Sequence, residues 1–361
     1  MMNLKFTPLI EVHKNLGAKI APFGGWLMPI QYAGIIQEHN WTRKSASLFD
    51  ICHMGEFYLD EDLKESGLDN IVSANLDSMP VKACRYGFLL DEKGNILDDM
   101  VTYRKGKDEW MLVVNAATTN ADFKHIQSNL KIKTLKDISN NTAKLDLQGP
   151  LSRDVLKSLG CKDIESLTYY SFDYFVLLGN DVLISRTGYT GELGFEIYIE
   201  SSKAVVLWNS LLKDERVRPA GLGARDTLRL EMNYPLYGQD ISKDNNPIEA
   251  GFIKFIDFEK DFIGKDTLLN KRDNIDKKLV CFICDSRRAP RHNNKILIDK
   301  AVVGRVTSGS FSPSLGVGIG TGYVDKDKAV IDKDITITDG RKELSAKIVK
   351  RPFYKNGSLR R

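Results

Sequence analysis

The sequence predicts an α+β protein whose C-terminal part is a small all-β domain. A chain of 361 residues is too long for one ordinary hydrophobic core and indicates two or three domains. Up to about residue 276, segments with the two-residue period of strands alternate with segments that have helical spacing. From about residue 277, short alternating runs follow one another, separated by Asp, Gly, Lys and Pro. This change predicts a β-barrel or sandwich after an α+β body.

The α+β body is predicted from two sets of patterns. Its first part contains mixed helix and loop over 1–50, a strand at 55–59, helical spacing over 68–76, antiparallel strands at 96–103 and 109–114, and a helix after Asn115. Its second part contains a strand at 143–147, a helix started by Pro150, strands near 172–178 and 181–186, a helix over about 202–213 and another from Gly221. The C-terminal domain is predicted to contain strands at 279–284, 295–298, 301–306, 317–324, 334–338 and 344–349.

Composition and charge exclude several classes of protein. The chain is 42% hydrophobic and 28% charged, and its net charge of +4 is spread along the sequence rather than concentrated as in a nucleic-acid binder. No stretch approaches the roughly 18 uncharged apolar residues of a membrane helix. The first residues are broken by proline and charge too early for a secretory signal, so we expect a cytoplasmic protein.

The cysteines and glycines favour structural roles. Five scattered cysteines fit a reduced compartment, and the Cys281–Cys284 CxxC stands in a strand-like run without the second pair that a zinc site needs. Glycines alternate from Gly316 to Gly322 inside the predicted all-β domain, which is not the strand-to-helix setting of a phosphate-binding loop. We expect them to form a face against which other backbone packs closely. The histidines have no metal-ligand spacing, so we expect no metal.

The adjacent carboxylates Asp98 and Asp99 are the strongest local lead. They lie in a predicted strand whose two faces are both largely apolar, so at least one should point into the protein. Such a carboxylate either caps or pairs structurally, or takes part in chemistry. By local pattern alone, Glu196 is typical of a solvent-facing charge and Arg225 of a helix surface. Cys52 and His53 are sequence neighbours, which is weak support for a catalytic dyad.

Seven segments, in order along the chain, resemble the T-protein family of the glycine cleavage system, which are tetrahydrofolate-dependent aminomethyltransferases. They are PFGGWLMPIQY at 22–32, SLFDICHMGE at 47–56, GNILDD at 94–99, LQGP at 147–150, RTGYTGELGFE at 186–196, GLGARDTLRLE at 221–231 and TSGSFSPSLG at 307–316. Asn95 stands where glycine is usual in this family, and Cys52 where serine is common. Neither departure involves the carboxylate pair.

The resemblance implies three domains arranged like a cloverleaf around a folate channel. Two would be α+β domains with antiparallel sheets, and the third a distorted, jelly-roll-like β-barrel. The folate-binding domain would be discontinuous, combining 1–50 with 140–276. Residues 51–139 would form the domain that carries the catalytic aspartate, and 277–361 the barrel.

The resemblance also implies an activity and its participants. Members of the family transfer an aminomethyl carbon from the dihydrolipoyl arm of H-protein to tetrahydrofolate, releasing ammonia and forming 5,10-methylenetetrahydrofolate. A carboxylate beside the pterin nitrogens suits this reaction, because it can stabilise developing positive charge and accept a proton. We expect a monomer with H-protein as a transient partner, with no nucleic acid or membrane involved.

Six site residues follow from the resemblance. Asp99 corresponds to the catalytic carboxylate, and the residues expected to bind tetrahydrofolate are Asn115, Tyr189, Glu196, Arg225 and, near the C-terminus, Lys355. An ionised glutamate is acceptor-only, which suits the pterin amino and ring N–H groups.

Two alternatives use the same fold. One is a folate-dependent demethylase, and the other is a non-catalytic folate-binding protein. A folate-linked oxidase would need an additional flavin domain, for which the chain has no length. The retained aspartate and the GYTGE segment favour aminomethyl transfer, and the KGCY-type motif of the non-catalytic relatives is not found.

Overall fold

A computed structural model describes residues 4–359. Its strands are, in chain order, β1 (Lys5–Phe6), β2 (Lys19–Phe23), β3 (Trp26–Gln31), β4 (Ala46–Asp50), β5 (Gly55–Asp60), β6 (Ala83–Leu90), β7 (Ile96–Arg104), β8 (Glu109–Val114), β9 (Lys136–Asp137), β10 (Thr142–Gln148), β11 (Phe172–Leu177), β12 (Asn180–Ser185), β13 (Gly194–Glu200), β14 (Val217–Pro219), β15 (Lys277–Cys284), β16 (Lys295–Ile298), β17 (Ala301–Ser312), β18 (Val317–Asp325), β19 (Asp334–Thr338) and β20 (Glu343–Val349).

The α-helices are short and lie mainly in the first two thirds of the chain. They are α1 (Ile10–Asn15), α2 (Ile35–Lys44), α3 (Leu63–Ser66), α4 (Leu68–Ile71), α5 (Thr119–Asn129), α6 (Ser152–Ser158), α7 (Ala204–Leu211), α8 (Leu222–Glu231) and α9 (Lys265–Lys271). Short 3-10 turns lie at Ser139–Asn141, Ile164–Ser166, Ser201–Lys203, Ile253–Phe255 and Lys326–Lys328. Among the described residues, no helix is long and apolar enough to cross a membrane.

The chain divides into two compact units. The described residues of unit 1 are 4–87, 99–226 and 357–359, and those of unit 2 are 88–98 and 227–356. The division into three domains expected from the sequence stays a prediction.

Unit 1 contains a six-stranded sheet with two different faces. Its strand order is β11-β12-β13-β10-β4-β14, and β10 runs antiparallel to both β13 and β4. Leu145 and Leu147 of β10 point to one face and pack in a large apolar core with Trp208 of α7. The side chains between them, Lys144 and Asp146, therefore point to the other face.

A second sheet covers this polar face. It has the order β6-β7-β8-β5-β9, and β7 is antiparallel to β8. Within unit 1 the two sheets share an apolar cluster, formed by Cys84, Tyr103, Met111 and Val113 from this sheet and Phe172, Leu183 and Tyr198 from the six-stranded sheet. Charged side chains of β10 and β13 are thus buried between two sheets.

Smaller features complete unit 1 and the start of β7. Strands β1, β3 and β2 form a three-stranded sheet in which β1 is parallel to β3.

The turn before β7 lies in unit 2, where Asp91 Oδ1 accepts hydrogen bonds from the backbone N–H groups of Lys93 at 2.9 Å and Asn95 at 2.8 Å. Gly94 has φ +74°, a conformation that glycine adopts without steric cost.

Unit 2 contains a closed antiparallel barrel. Its order is β15-β18-β17-β16-β19-β20, and the pairing of β15 with β20 closes it. Gly318, Gly320 and Gly322 lie on β18, and Gly316 precedes it. A Cβ on Gly318 would collide with the Arg288 carbonyl oxygen, and a Cβ on Gly322 would lie 2.5 Å from the Arg305 carbonyl oxygen. The expectation of a closely packed glycine face is confirmed for Gly318, Gly320 and Gly322 and is wrong for Gly316, whose Cβ position has no atom within 4 Å. The α+β class and the C-terminal barrel are also confirmed.

Candidate active site

Asp99 is half-buried on β7 and accepts hydrogen bonds from Tyr86 and Asn115. The Tyr86 hydroxyl on β6 donates to Oδ2 at 2.9 Å, and the Asn115 side-chain amide donates to Oδ1 at 2.9 Å. The same amide lies 3.1 Å from the Asp99 backbone oxygen. Burial and the Asp99 charge raise the pKa of Tyr86, so the phenol stays a donor. Asp98 is fully buried, which confirms that one carboxylate of the pair points into the protein.

Glu196 is buried on the covered face of β13. Its Oε2 accepts a hydrogen bond from the Thr187 hydroxyl at 2.6 Å and a longer one from Tyr103 at 3.4 Å. Its Oε1 lies 3.1 Å from the Lys144 ammonium. The interpretation of Glu196 as a solvent-facing charge, drawn from local pattern alone, is therefore wrong, because the second sheet covers this face.

A second carboxylate lies beside Glu196 in the sheet. Asp146 of β10 is the register partner of Glu196 and accepts from Arg225 at 2.6 Å and from the Gln148 amide at 2.6 Å. The Arg225 guanidinium also lies 4.7 Å from the ring centroid of Tyr189. Arg225 is thus tied into the polar layer rather than lying on a helix surface.

Burial and pairing move the pKa values of the two carboxyl groups apart. Burial alone would raise the pKa of Glu196, but the Lys144 charge, the Thr187 hydrogen bond and Arg225 together lower it. Burial raises the pKa of Asp146 and outweighs the opposing effect of Arg225. Glu196 is therefore the group kept ionised, while Asp146 holds a proton more readily.

Gln148 locks the glycine-rich segment that carries Tyr189. Its amide donates to the Thr187 carbonyl at 3.1 Å, and its oxygen accepts from Thr190 at 2.7 Å. A Cβ on Gly188 or Gly194 would collide with this amide. The glycines of RTGYTGELG thus leave room for the glutamine of LQGP, which explains why the two motifs belong together.

Glu192 anchors the same segment within unit 1. It is 2% exposed and accepts hydrogen bonds from Arg43 at 2.9 Å and from the hydroxyl and backbone N–H of Ser358 at 2.5 and 2.8 Å. The Ser358 hydroxyl in turn accepts the Leu193 N–H at 2.9 Å. Residues near the C-terminus therefore hold the segment in position.

Most of the predicted site residues lie around one region of unit 1. Asp99 and Tyr103 project from the same face of β7, towards the sheet that carries Glu196, and the Tyr189 hydroxyl contributes to the raised pKa of Tyr86. Lys355 is exposed and belongs to unit 2, so its role stays a prediction.

Sequence reasoning missed several polar members of the site. These are Tyr86, Lys144, Asp146, Gln148 and Thr187. The run AKLDLQ places three polar side chains on one strand face, but a half-exposed sheet has the same pattern, so the sequence did not mark these residues as part of a site. Separately, no cluster of three or more His, Cys, Asp or Glu side chains within residues 4–359 is arranged to hold a metal ion.

The fold and site define a class of α+β proteins with a C-terminal barrel and a carboxylate site in the body. The GCVT N-terminal domain family matches residues 9–260, and the glycine cleavage T-protein C-terminal barrel domain family matches residues 277–355. The chain belongs to the glycine cleavage T-protein family, which confirms the resemblance seen in the sequence.

Similar proteins match along the whole chain. An aminomethyltransferase of Halothermothrix orenii is 43% identical, with 97% of this chain and all of that protein covered. One of Thermotoga maritima is 40% identical, with 99% of this chain and all of that protein covered. The crystal structure of glycine cleavage system aminomethyltransferase T from Bartonella henselae has a TM-score of 0.93 at 31% identity, covering 98% of this chain and 99% of that one.

Proposed function

We propose that this protein is an aminomethyltransferase that moves an aminomethyl carbon from the dihydrolipoyl arm of an H-protein to tetrahydrofolate. Ammonia is released and 5,10-methylenetetrahydrofolate is formed. Family membership supports the reaction class, since relatives along the full length are aminomethyltransferases. The observation that carries the proposal is the half-buried carboxylate of Asp99, fixed by donors from two neighbouring segments.

Asp99 is the proposed catalytic residue. The Tyr86 hydroxyl donates to one carboxylate oxygen of Asp99 and the Asn115 amide donates to the other, so the two hydrogen bonds restrict the carboxylate to one orientation. In this role Asp99 orients the reacting nitrogen, stabilises positive charge at the transferred carbon and accepts a proton.

The other predicted residues bind tetrahydrofolate in this proposal. Glu196 accepts hydrogen bonds from the pterin amino and ring N–H groups, which are donors. Tyr189 packs beside it with Arg225, and Asn115 contacts the pterin as the neighbour of Asp99. Lys355 approaches the substrate from near the C-terminus.

The proposal also covers the location of the protein, its oligomeric state, its partner and its domain bounds. The protein acts as a cytoplasmic monomer with an H-protein as transient partner, and needs neither a metal nor nucleic acid. Its three domains comprise 1–50 with 140–276, then 51–139, then 277–361. Family membership is the support for these statements.

The test compares wild type with Asp99→Asn and Tyr86→Phe. Purified protein receives aminomethylated H-protein and tetrahydrofolate, and ammonia and methylenetetrahydrofolate are measured. Asp99→Asn should lose about 10²–10⁴-fold in kcat, the usual contribution of such a group, while it still binds tetrahydrofolate. Tyr86→Phe keeps the carboxylate and removes one donor, so we expect a loss of about tenfold.

Two results would contradict the proposal. If folded wild type binds tetrahydrofolate and forms no product, the donor is wrong, and methylated donors would be tried next. If Asp99→Asn turns over as fast as wild type, another group performs the chemistry.

A further inference from the structure

Lys144 is a buried amine in the middle of strand β10. Its side chain is 3% exposed, and its ammonium lies 3.1 Å from Glu196 Oε1. It also lies 3.6 Å from the Met54 sulfur and 5.2 Å from the ring centroid of Tyr198. A lysine is seldom buried without a charged partner, and here the carboxylate is Glu196.

Glu56 is a second buried acid in the field of the same ammonium. It is 1% exposed on β5, and its Oε1 has no hydrogen-bond partner among residues 4–359. Burial raises the pKa of Glu56 to about 8, although the Lys144 charge opposes the shift. Two buried acids therefore share one cation, and the hydrogen-bonded one, Glu196, is ionised while Glu56 is neutral.

We propose that Lys144 is a positioning residue for tetrahydrofolate, which acts through Glu196 by keeping that carboxylate ionised and fixed as a hydrogen-bond acceptor. This inference rests on the proposed function, because it assumes that Glu196 receives the pterin. The bond to Oε1 and the Thr187 bond to Oε2 fix both oxygens. Lys144 does not itself contact the substrate.

The physical need for Lys144 follows from the donors on the pterin. A protonated Glu196 would present an O–H group to substrate N–H groups, and two facing donors leave a buried polar group unsatisfied. Without the Lys144 ammonium, the rise in the Glu196 pKa that burial causes would be opposed mainly by the Thr187 hydrogen bond and by Arg225. The pKa of Glu196 would then rise, and more of the carboxylate would be protonated at a given pH.

Other titratable groups also act on Glu196, and the test must separate them from Lys144. They are Asp146 on β10, Arg225 on α8, Glu56 on β5, Tyr103 on β7, Cys84 on β6 and Tyr198 on β13. Lys144 also lowers the pKa values of Glu56 and Asp146, so the ratio of the two dissociation constants is interpreted together with a charge-retaining variant and with a double variant that lacks the Glu196 charge.

The experiment measures tetrahydrofolate binding by Lys144→Met and wild type from pH 6 to pH 8, under anaerobic conditions. The dissociation constant of Lys144→Met divided by that of wild type should exceed about ten at pH 6 and decrease towards pH 8, because deprotonation of Glu196 restores the hydrogen-bond acceptor. At pH values well below the pKa of Glu196 in the variant, this ratio should change about tenfold per pH unit. Lys144→Arg retains the charge and should keep the ratio near one across the range. A ratio that is constant with pH, or near one for Lys144→Met, would overturn the inference.

A double variant keeps the inference testable if Lys144→Met alone does not fold. Lys144→Met/Glu196→Gln removes both charges, so no buried charge is left unpaired. If Lys144 acts only through Glu196, the double variant binds tetrahydrofolate as Glu196→Gln does. A further loss of tenfold or more would mean that Lys144 contacts the substrate directly, which contradicts the inference. Failure of wild type to bind tetrahydrofolate would instead reject the proposed function.

Discussion

Replacement of Glu56 by glutamine should stabilise unit 1, and increasingly so as pH rises. Glu56 is buried on β5 with a pKa of about 8, against an ordinary value of 4.5. Between these values the folded state retains a proton that the unfolded state loses. The contribution of Glu56 to the free energy of unfolding of the wild type is therefore fully present below pH 4.5 and is lost as pH rises towards 8.

The size of the effect follows from the two pKa values. Each pH unit between them costs about 1.4 kcal/mol, which amounts to about 3 kcal/mol at pH 7 and about 4 kcal/mol at pH 8. Glutamine has nearly the same shape as the protonated acid and does not titrate. Glu56→Gln should therefore be close to wild type at pH 4.5 and more stable by these amounts at higher pH.

Urea unfolding followed by tryptophan fluorescence suits this measurement. All four tryptophans of the sequence lie in unit 1, at Trp26, Trp41, Trp110 and Trp208, so the signal reports the unit that contains Glu56. Glu215→Gln is a matched control, since Glu215 is exposed in the same unit, and its effect should be within about 0.5 kcal/mol at every pH. An equal effect of Glu56→Gln at pH 5 and pH 8 would refute the reasoning, because it would mean that Glu56 is ionised in the folded protein.

Three further predictions concern packing and anchoring. Gly318→Ala should destabilise unit 2 by about 1–3 kcal/mol, because the new methyl group collides with the Arg288 carbonyl oxygen. The control is Gly316→Ala, whose methyl group meets no atom within 4 Å although Gly316 has φ +73°, and its effect should be smaller. Equal denaturation midpoints of the two variants would contradict this prediction. Ser358→Ala should cost unit 1 about 1–3 kcal/mol in urea unfolding, because buried Glu192 loses a hydroxyl donor at 2.5 Å; unchanged stability would mean that the anchor is not needed. The five cysteines are all buried, so a thiol reagent should react slowly with native protein and with five groups after denaturation; fast reaction of any one would show an opening that the fold does not contain.

The barrel could be predicted from the sequence because its signal is local. The expected runs at 317–324 and 334–338 match β18 and β19, and they alternate apolar positions with glycine or polar positions. The two-residue period survives because one face of each strand lines the barrel core and the other does not. By contrast, nothing local announces that β14 runs parallel to β4, since their residues are about 170 positions apart along the chain.

The site was only partly predictable, for a related reason. Asp99 stood out because a carboxylate in a strand with two apolar faces conflicts with its surroundings. Lys144 and Asp146 did not stand out, because a strand with one polar and one apolar face is the usual pattern of a half-exposed sheet. Their burial depends on the second sheet, which contributes Tyr103 and Val113 from distant parts of the chain.

The buried polar face of β10 and β13 shows how this arrangement can serve binding. Placing ionised groups away from water is costly unless each is paired, and the short contacts of Glu196 and Asp146 supply that pairing. Pairing two acids with two fixed cations also separates their proton affinities, so one carboxylate stays an acceptor while its register partner holds a proton more readily. A face built in this way has a defined pattern of donors and acceptors before any ligand arrives. It therefore favours a ligand with a complementary hydrogen-bonding edge, such as a pterin, over an apolar ring of the same size.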